Sequence, residues 1–183
     1  MKMKSNKLLF KNKWINVYEN EKGFIYCQRK GINSIAALLI RKVADDHEFM
    51  IHFQPLPEVV EKKTWDEPYP CPVTGTIEEN SSELESLISE VSEEAGFEIT
   101  EKNIVDSSVF VSSTQMNEKV FSYLIDVTGL KNSEPKTDGS VFESVSFNKW
   151  YSHDEFQKIV KSDLVLSSLS SLYLLYLLNY KKW

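Results

Sequence analysis

The sequence predicts an α+β fold, a mixed β-sheet with helices packed on its faces. Three observations carry that reading. The first third of the chain is a succession of short strand-like runs, a single amphipathic helix stands at residues 82–95, and after two further strand-like runs the chain ends in two helical segments. Strands interrupted by one helix and closed by others suit a layered sheet better than a bundle or a sandwich.

The elements follow in order. Leu8 to Phe10, Ile15 to Tyr18 and Phe24 to Arg29 are short strands, with Glu21-Lys22-Gly23 as a turn. Ser34 to Lys42 and Glu48 to Phe53 are longer strands, joined through the turn-forming pair Asp45-Asp46. The first of these is apolar over Ile35 to Ile40, as expected of a strand buried on both faces. Residues 54–74 hold Pro55, Pro57, Pro68, Pro70 and Pro72, which predicts an irregular loop with neither a helix nor a central strand. The helix at 82–95 has Leu84, Leu87, Ile88 and Val91 on one stripe. Ser82 and Glu85 form a capping box, and Gly96 sits where a C-terminal cap belongs. Ser107 to Val111 and Val120 to Val127 are strands joined by a polar loop from Ser112 to Lys119, and Phe142 to Phe147 is a further strand. Asp154 to Lys161 and Leu164 to Tyr180 are the closing helices.

Composition narrows the function classes. The 183 residues are 42% hydrophobic and 26% charged, enough apolar material for one core. A net charge of -6 speaks against a nucleic-acid partner, which needs a basic face. A small anionic substrate is compatible with it if a metal supplies positive charge. Cys27 and Cys71 are the only cysteines and have no CxxC spacing, which fits a reducing compartment and two packing residues. The basic start MKMKSNKLLFKNKW lacks a signal peptide's apolar region, and Leu164 to Leu178, broken by Ser167, Ser168, Ser170 and Ser171, falls short of the roughly 20 residues of a membrane span. The expectation is a cytoplasmic protein with no membrane contact. His47, His52 and His153 lack zinc-ligand spacing, and no P-loop or GxSxG pattern occurs. His52 alternates with apolar residues in its strand and is read as structural.

The acidic helix carries the chemistry. Between Glu78 and Glu98 there are eight glutamates and no Lys or Arg. Glu90, Glu93 and Glu94, at i, i+3 and i+4, share one helix face. Three like charges there cost free energy unless a cation bridges them, and Mg²⁺ is the hard ion that carboxylate oxygens suit. A solvated acidic surface is the plainer explanation of any such triplet.

The frame around the triplet decides between them. Gly75, Glu90, Val91, Glu93, Glu94, Gly96 and Phe97 stand at the spacing of Gly, five residues, Glu, seven residues, Arg-Glu-apolar-x-Glu-Glu-x-Gly-apolar, with Ser81 in place of the first Glu and Ser89 in place of the Arg. This resembles the Nudix box, and the resemblance extends to the ADP-ribose and nucleotide-sugar pyrophosphatase branch. It implies a Nudix fold, its mixed β-sheet sandwiched between helices, with an N-terminal β-hairpin extension over residues 1–32 and the Nudix domain over 33–183. It further implies Glu90 and Glu94 as metal ligands, Glu93 as a further ligand or water-orienting base, and the carbonyl of Thr74 on the metal. Mg²⁺ is the implied cofactor, with Mn²⁺ as its substitute. Two or more ions would neutralise a diphosphate and generate the attacking hydroxide.

The same resemblance implies substrate contacts from Gly75, from Trp14 by stacking, though an aromatic at a strand end more often packs in a core, and from Gln54. Gln54 stands where relatives carry an Arg, and a neutral amide does not replace that fork-shaped cation. Since Arg29 and Arg41 are the only arginines, phosphate contacts fall to lysines, metal or backbone. Glu118, at the end of the loop beginning at Ser112, is the candidate general base. The implied partner is a small nucleoside diphosphate derivative, ADP-ribose or a nucleotide sugar, and the implied assembly is a homodimer. Two functions stay open: a Mg²⁺-dependent hydrolase, favoured by Glu90, Glu93 and Glu94, and a degenerate domain that binds a nucleotide or a partner protein without hydrolysis, favoured by Ser81, Ser89 and Gln54.

Overall fold

The computed structural model describes residues 6–181 apart from 57, 60, 137–140 and 142. The elements are β1 (Lys7–Lys11), β2 (Ile15–Glu19), β3 (Ile25–Arg29), β4 (Ser34–Val43), β5 (Asp46–Pro55), β6 (Pro68–Cys71), β7 (Val73–Thr76), α1 (Glu83–Ala95), β8 (Ile104–Ser113), β9 (Met116–Asp126), β10 (Phe147–Ser152), α2 (His153–Ser162) and α3 (Ser167–Tyr180). They form one mixed sheet with α1 on one face and α2 and α3 on the other, as the sequence predicts.

The sheet runs β1-β2-β3-β9-β4-β5-β10. β4 is its buried spine. It pairs in parallel with β9 from Ser34↔Val120 to Ile40↔Asp126, and Ile35 through Ile40 are all at most 1% exposed. Alternation then sorts its side chains: Ile35, Ala37 and Leu39 pack under α1 with Leu87, Val91 and Ala95, while Ala36, Leu38 and Ile40 pack under α2 and α3 with Phe156, Leu169 and Tyr176. Each such Leu or Val contributes about 1.5–3 kcal/mol by burial.

On its other edge β4 has two partners. Its C-terminal half pairs with β5 as far as Leu39↔Met50, and its N-terminal half pairs with β7 from Ala37↔Val73 to Ser34↔Thr76. β5 continues away from β4 and pairs there with β6, His52 opposite Cys71. The β4–β5 hairpin therefore forks, and the β6–β7 segment, bent at Pro72, fills the fork. The prolines are accommodated because β6 is a four-residue strand at the margin of the sheet. This corrects the expectation of an irregular 54–74: Pro55 closes β5, and Pro68–Cys71 and Val73–Thr76 are strands on either side of Pro72.

Two other expectations are corrected. The loop foreseen from Ser112 to Lys119 is a tight hairpin, with β8 running to Ser113 and β9 starting at Met116, because the cross-strand ladder from Phe110↔Val120 to Ser113↔Met116 satisfies backbone groups that a loop would leave to water. Glu118 thus lies in a strand. The strand foreseen at Phe142 to Phe147 begins at Phe147 and ends at Ser152, paired with β5, while residues 143–145 form a 3₁₀ turn. Phe142 and Pro57 lie outside the described residues, as does the very start of the chain. Among the described residues no helix is long and apolar enough to cross a membrane.

Candidate active site

α1 lies across the fork and is fixed at both ends. Ser82 accepts from the Glu85 backbone N–H while the Glu85 carboxylate accepts from the Ser82 N–H at 2.8 Å, a complete capping box. Gly96 ends the helix in the left-handed region at φ 73° and is held by Ser133 N–H to its carbonyl at 2.9 Å. Burial of Leu87 and Val91 then sets the helix rotation that presents Glu90 and Glu94 to β7.

The two carboxylates use what β7 offers. A Cβ on Gly75 would stand 2.0 Å from Glu90 Oε1, so the missing side chain is what lets that carboxylate settle onto the strand. One residue earlier, the Thr74 N–H donates to Glu94 Oε2 at 3.3 Å, and Gln54 Nε2 donates to Thr74 Oγ1 at 3.1 Å. Glu90, Glu94, Thr74, Gly75 and Gln54 are therefore brought together. Glu93 turns aside. Its Oε1 accepts from Ser89 Oγ at 2.6 Å, so a serine hydroxyl stands where the Nudix box carries a cation.

A metal site can be judged from this donor set. Among the described residues no group of three or more His, Cys, Asp or Glu side chains is gathered to cage an ion. Two carboxylates, Glu90 over Gly75 and Glu94 on the Thr74 N–H, fit a hard divalent cation that keeps several waters, the usual manner of Mg²⁺.

Next to β7, on the α3 side of the sheet, lies a cleft of about 330 Å³ lined by Arg29, Ser34, Thr74, Gly75, Thr76 and Glu118, with Ser167 and Ser168 of α3 closing it. Arg29 donates through Nη2 to Thr76 Oγ1 at 2.6 Å and stands 3.4 Å from Glu118 Oε1 through Nη1. Glu118 is 8% exposed. Its burial with an arginine partner, rather than on a solvated loop, makes it part of the cleft wall. Arg29 is the residue that sequence reasoning passed over. The signal available was its position at the end of a strand in a chain with a single other arginine; its partners are 47 and 89 residues away in sequence.

Across the sheet, on the α1 side, a larger cavity of about 550 Å³ is lined by Met50, His52, Glu93, Glu94, Lys136 and Trp150, among others. His52 is 4% exposed, and burial holds its imidazole below the ordinary pKa against the opposing effect of its Asn148 hydrogen bond. Cys71, opposite it in β6, has its thiol pushed up to about 12 by burial.

Trp14 is not brought to either cavity. It sits between β1 and β2, 67% exposed, under Lys13 Nζ at 4.8 Å from the ring centroid, in a groove with Asn12, Lys30 and Arg29, the last of which also lines the cleft. It is neither the core residue that its strand-end position suggests nor, within this chain, a neighbour of Glu90.

No protein-family model matches the sequence, and no curated protein sequence matches it. Solved structures do. The crystal structure of an ADP compounds hydrolase has a TM-score of 0.58 and 13% sequence identity, covering 99% of this chain and 98% of that one. A Nudix hydrolase from M. smegmatis, RenU, has a TM-score of 0.54 and 9% identity, covering 87% of this chain and 94% of that one. At such identities the likeness is one of fold: the chain has the Nudix hydrolase fold.

Proposed function

We propose that the protein is a divalent-metal-dependent hydrolase of a nucleoside diphosphate derivative, of the ADP-ribose or nucleotide-sugar class, releasing a nucleoside monophosphate and a phosphorylated product. The observation that carries this is the convergence on β7: the Glu90 and Glu94 carboxylates stand against Gly75 and Thr74, and the cleft lined by those same two residues holds Arg29. An anionic substrate in that cleft meets a guanidinium where Gln54 offers none. The neighbour that covers almost the whole chain is a hydrolase of ADP compounds, which supports the substrate class.

The residues divide the work. Glu90, Glu94 and the carbonyl of Thr74 would hold Mg²⁺ or Mn²⁺, and Glu93, released from Ser89, would orient water beside them. Held there, a divalent ion would supply charge neutralisation for the diphosphate and a lowered pKa for the attacking water. Glu118, in the wall of the cleft, takes the proton-accepting role, and Gly75 and Gln54 border the substrate. Trp14 is exposed and borders the cleft only through the shared Arg29. With Leu8, Phe10, Phe24 and Ile25 also exposed around β1–β3, the reading is a homodimer in which residues 1–32, an extension to a domain of 33–183, supply Trp14 to the partner's cleft. The two cysteines are free, in keeping with a cytoplasmic setting.

The second reading, a nucleotide-binding domain without hydrolysis, is favoured by Glu93, which bonds to Ser89 rather than joining the other two carboxylates. Turnover by the wild type decides between them, and Arg29→Ala tests the cleft. For the hydrolase it raises KM for ADP-ribose about tenfold or more, the order expected for one charge-assisted contact of about 1.5–3 kcal/mol, with a smaller change in kcat. Binding of ADP-ribose weakened by the same substitution, with no turnover of any diphosphate by the wild type, establishes the binding domain instead.

A further inference from the structure

His52 has one ring nitrogen engaged and one not. Its Nδ1 lies 2.8 Å from Asn148 Oδ1. The orientation of that amide is fixed, because Asn148 Nδ2 donates to the Glu94 carbonyl at 2.6 Å. Oδ1 is therefore the acceptor and Nδ1 carries a proton, which leaves Nε2 as the ring's ligating position. That Nε2 is buried with no hydrogen-bond partner among the described residues. It faces Glu94 Oε2 at 3.8 Å.

A buried ring nitrogen without a partner is unfavourable, and a cation between it and the Glu94 oxygen, which also accepts from the Thr74 N–H, would satisfy it. Bonds from a transition metal to imidazole nitrogen and carboxylate oxygen are about 2.1 Å each, so the pair spans up to about 4.2 Å through one ion. The gap of 3.8 Å admits a cation without moving the backbone. Asn148 meanwhile does for His52 what a carbonyl or carboxylate does for a metal-ligating histidine: it fixes the tautomer and ring orientation through the other nitrogen. The position opens onto the 550 Å³ cavity of the α1 side, which gives an ion and its waters access.

We propose that His52 is a metal ligand: its Nε2 and Glu94 Oε2 bridge one divalent cation, making the centre a mixed nitrogen and oxygen site that prefers Mn²⁺ or Zn²⁺ to Mg²⁺. The preference follows from ligand type, since imidazole suits transition metals while Mg²⁺ takes oxygen donors. The proposal rests on the reading of Glu94 as a ligand, and the sequence position of His52 gives no hint of it, because the partners come from β10 and α1.

Pulsed electron paramagnetic resonance of Mn²⁺ added to the full chain tests it without any substrate. Imidazole ¹⁴N modulation of the Mn²⁺ signal is expected in the wild type and is expected to vanish in His52→Gln. Calorimetric titration of the same variant is expected to show Mn²⁺ affinity falling about tenfold or more, with Mg²⁺ affinity little changed. Mn²⁺ bound without ¹⁴N modulation, and as tightly in His52→Gln as in the wild type, overturns the proposal and leaves the carboxylates as ligands, with water filling the gap. No Mn²⁺ binding by the wild type at millimolar concentration overturns both. If His52→Gln fails to fold by circular dichroism, the wild-type ¹⁴N signal decides alone, its absence being contrary to the proposal.

Discussion

At the scale of single residues the account turns on close contacts that one atom can break. Gly75→Ala puts a methyl 2.0 Å from Glu90 Oε1, and the carboxylate must swing off the strand to make room. Since the contact is with a flexible side chain, the fold survives. The expected result is an unchanged thermal midpoint within a few degrees and a loss of about tenfold or more in Mn²⁺ affinity by calorimetry. Unaltered affinity would dissociate Glu90 from the metal. The two cysteines give a second check. Cys71 is buried, its thiol is pushed up to about 12 and it donates to the Tyr69 carbonyl at 3.3 Å, so it is expected to resist a thiol reagent in the folded protein, while the half-buried Cys27 reacts first. Peptide mapping after brief alkylation reads the order. What the sequence made legible was local: the shared helix face of Glu90, Glu93 and Glu94 and the Gly96 cap follow from helix geometry, whereas Gly75 entered through the resemblance to the Nudix box. Arg29 and the pairing of His52 with Asn148 were not, since both depend on strands distant in sequence and on a tautomer that only the finished fold fixes.

At the scale of elements, α1 is the part whose limits were readable in advance, because caps and stripe are local signals. Ser82, Glu85 and Gly96 do in the structure what their identities announce. Its stop is also the element's most vulnerable point. At Gly96 an alanine meets both a positive φ and the backbone carbonyl of Ser133 at 2.0 Å, whereas at Gly129, with a φ of 78°, nothing among the described residues lies within 4 Å. The left-handed backbone alone costs an alanine about 1–2 kcal/mol. Gly129→Ala is therefore expected to lose about that much in denaturant unfolding, and Gly96→Ala distinctly more. Equal losses would mean that Ser133 yields freely. The β6–β7 segment shows the opposite case. Prolines argued correctly against a central strand but not against a short marginal one, and nothing local announces that β4 and β5 fork to receive it. Ser112 to Lys119 is polar, which predicts a loop where the β8 and β9 hairpin continues. At that end β9 pairs on its other edge with β3 at Cys27↔Met116, a long-range partner that a polar stretch does not announce.

At the scale of the molecule, sheet and helices form two cores, one on each face of β4, and the histidines report on the larger-ringed of the two. His47 and His153 contact Tyr176 and Tyr173, and burial lowers the pKa of each, outweighing the opposing pull of Asp46 and, at His47, of Asp126. A histidine harder to protonate folded than unfolded contributes its full stability above the ordinary pKa of about 6.5, and that contribution is lost as pH falls from there toward the lowered folded value. The denaturation midpoint is expected to drop between pH 7.5 and 5.5, and His153→Gln is expected to lessen the drop. A drop of the same size in that variant would assign the acid sensitivity elsewhere. The mixed sheet between helices was foreseeable from element order alone. The joining of β3 to β9 at Cys27↔Met116, which ties the N-terminal strands into the main sheet, was not.

The central claim is that the carboxylates on α1 hold a metal that serves diphosphate cleavage. AMP release from ADP-ribose in millimolar Mg²⁺ and in Mn²⁺, with Glu94→Gln run beside the wild type, tests it most directly. The account predicts release by the wild type and its loss by about 10³-fold or more in a variant that still folds, the order seen when one strong electrostatic contributor to a transition state is removed. Release undiminished in Glu94→Gln, or no release by the wild type from any nucleoside diphosphate derivative in either metal, would contradict it.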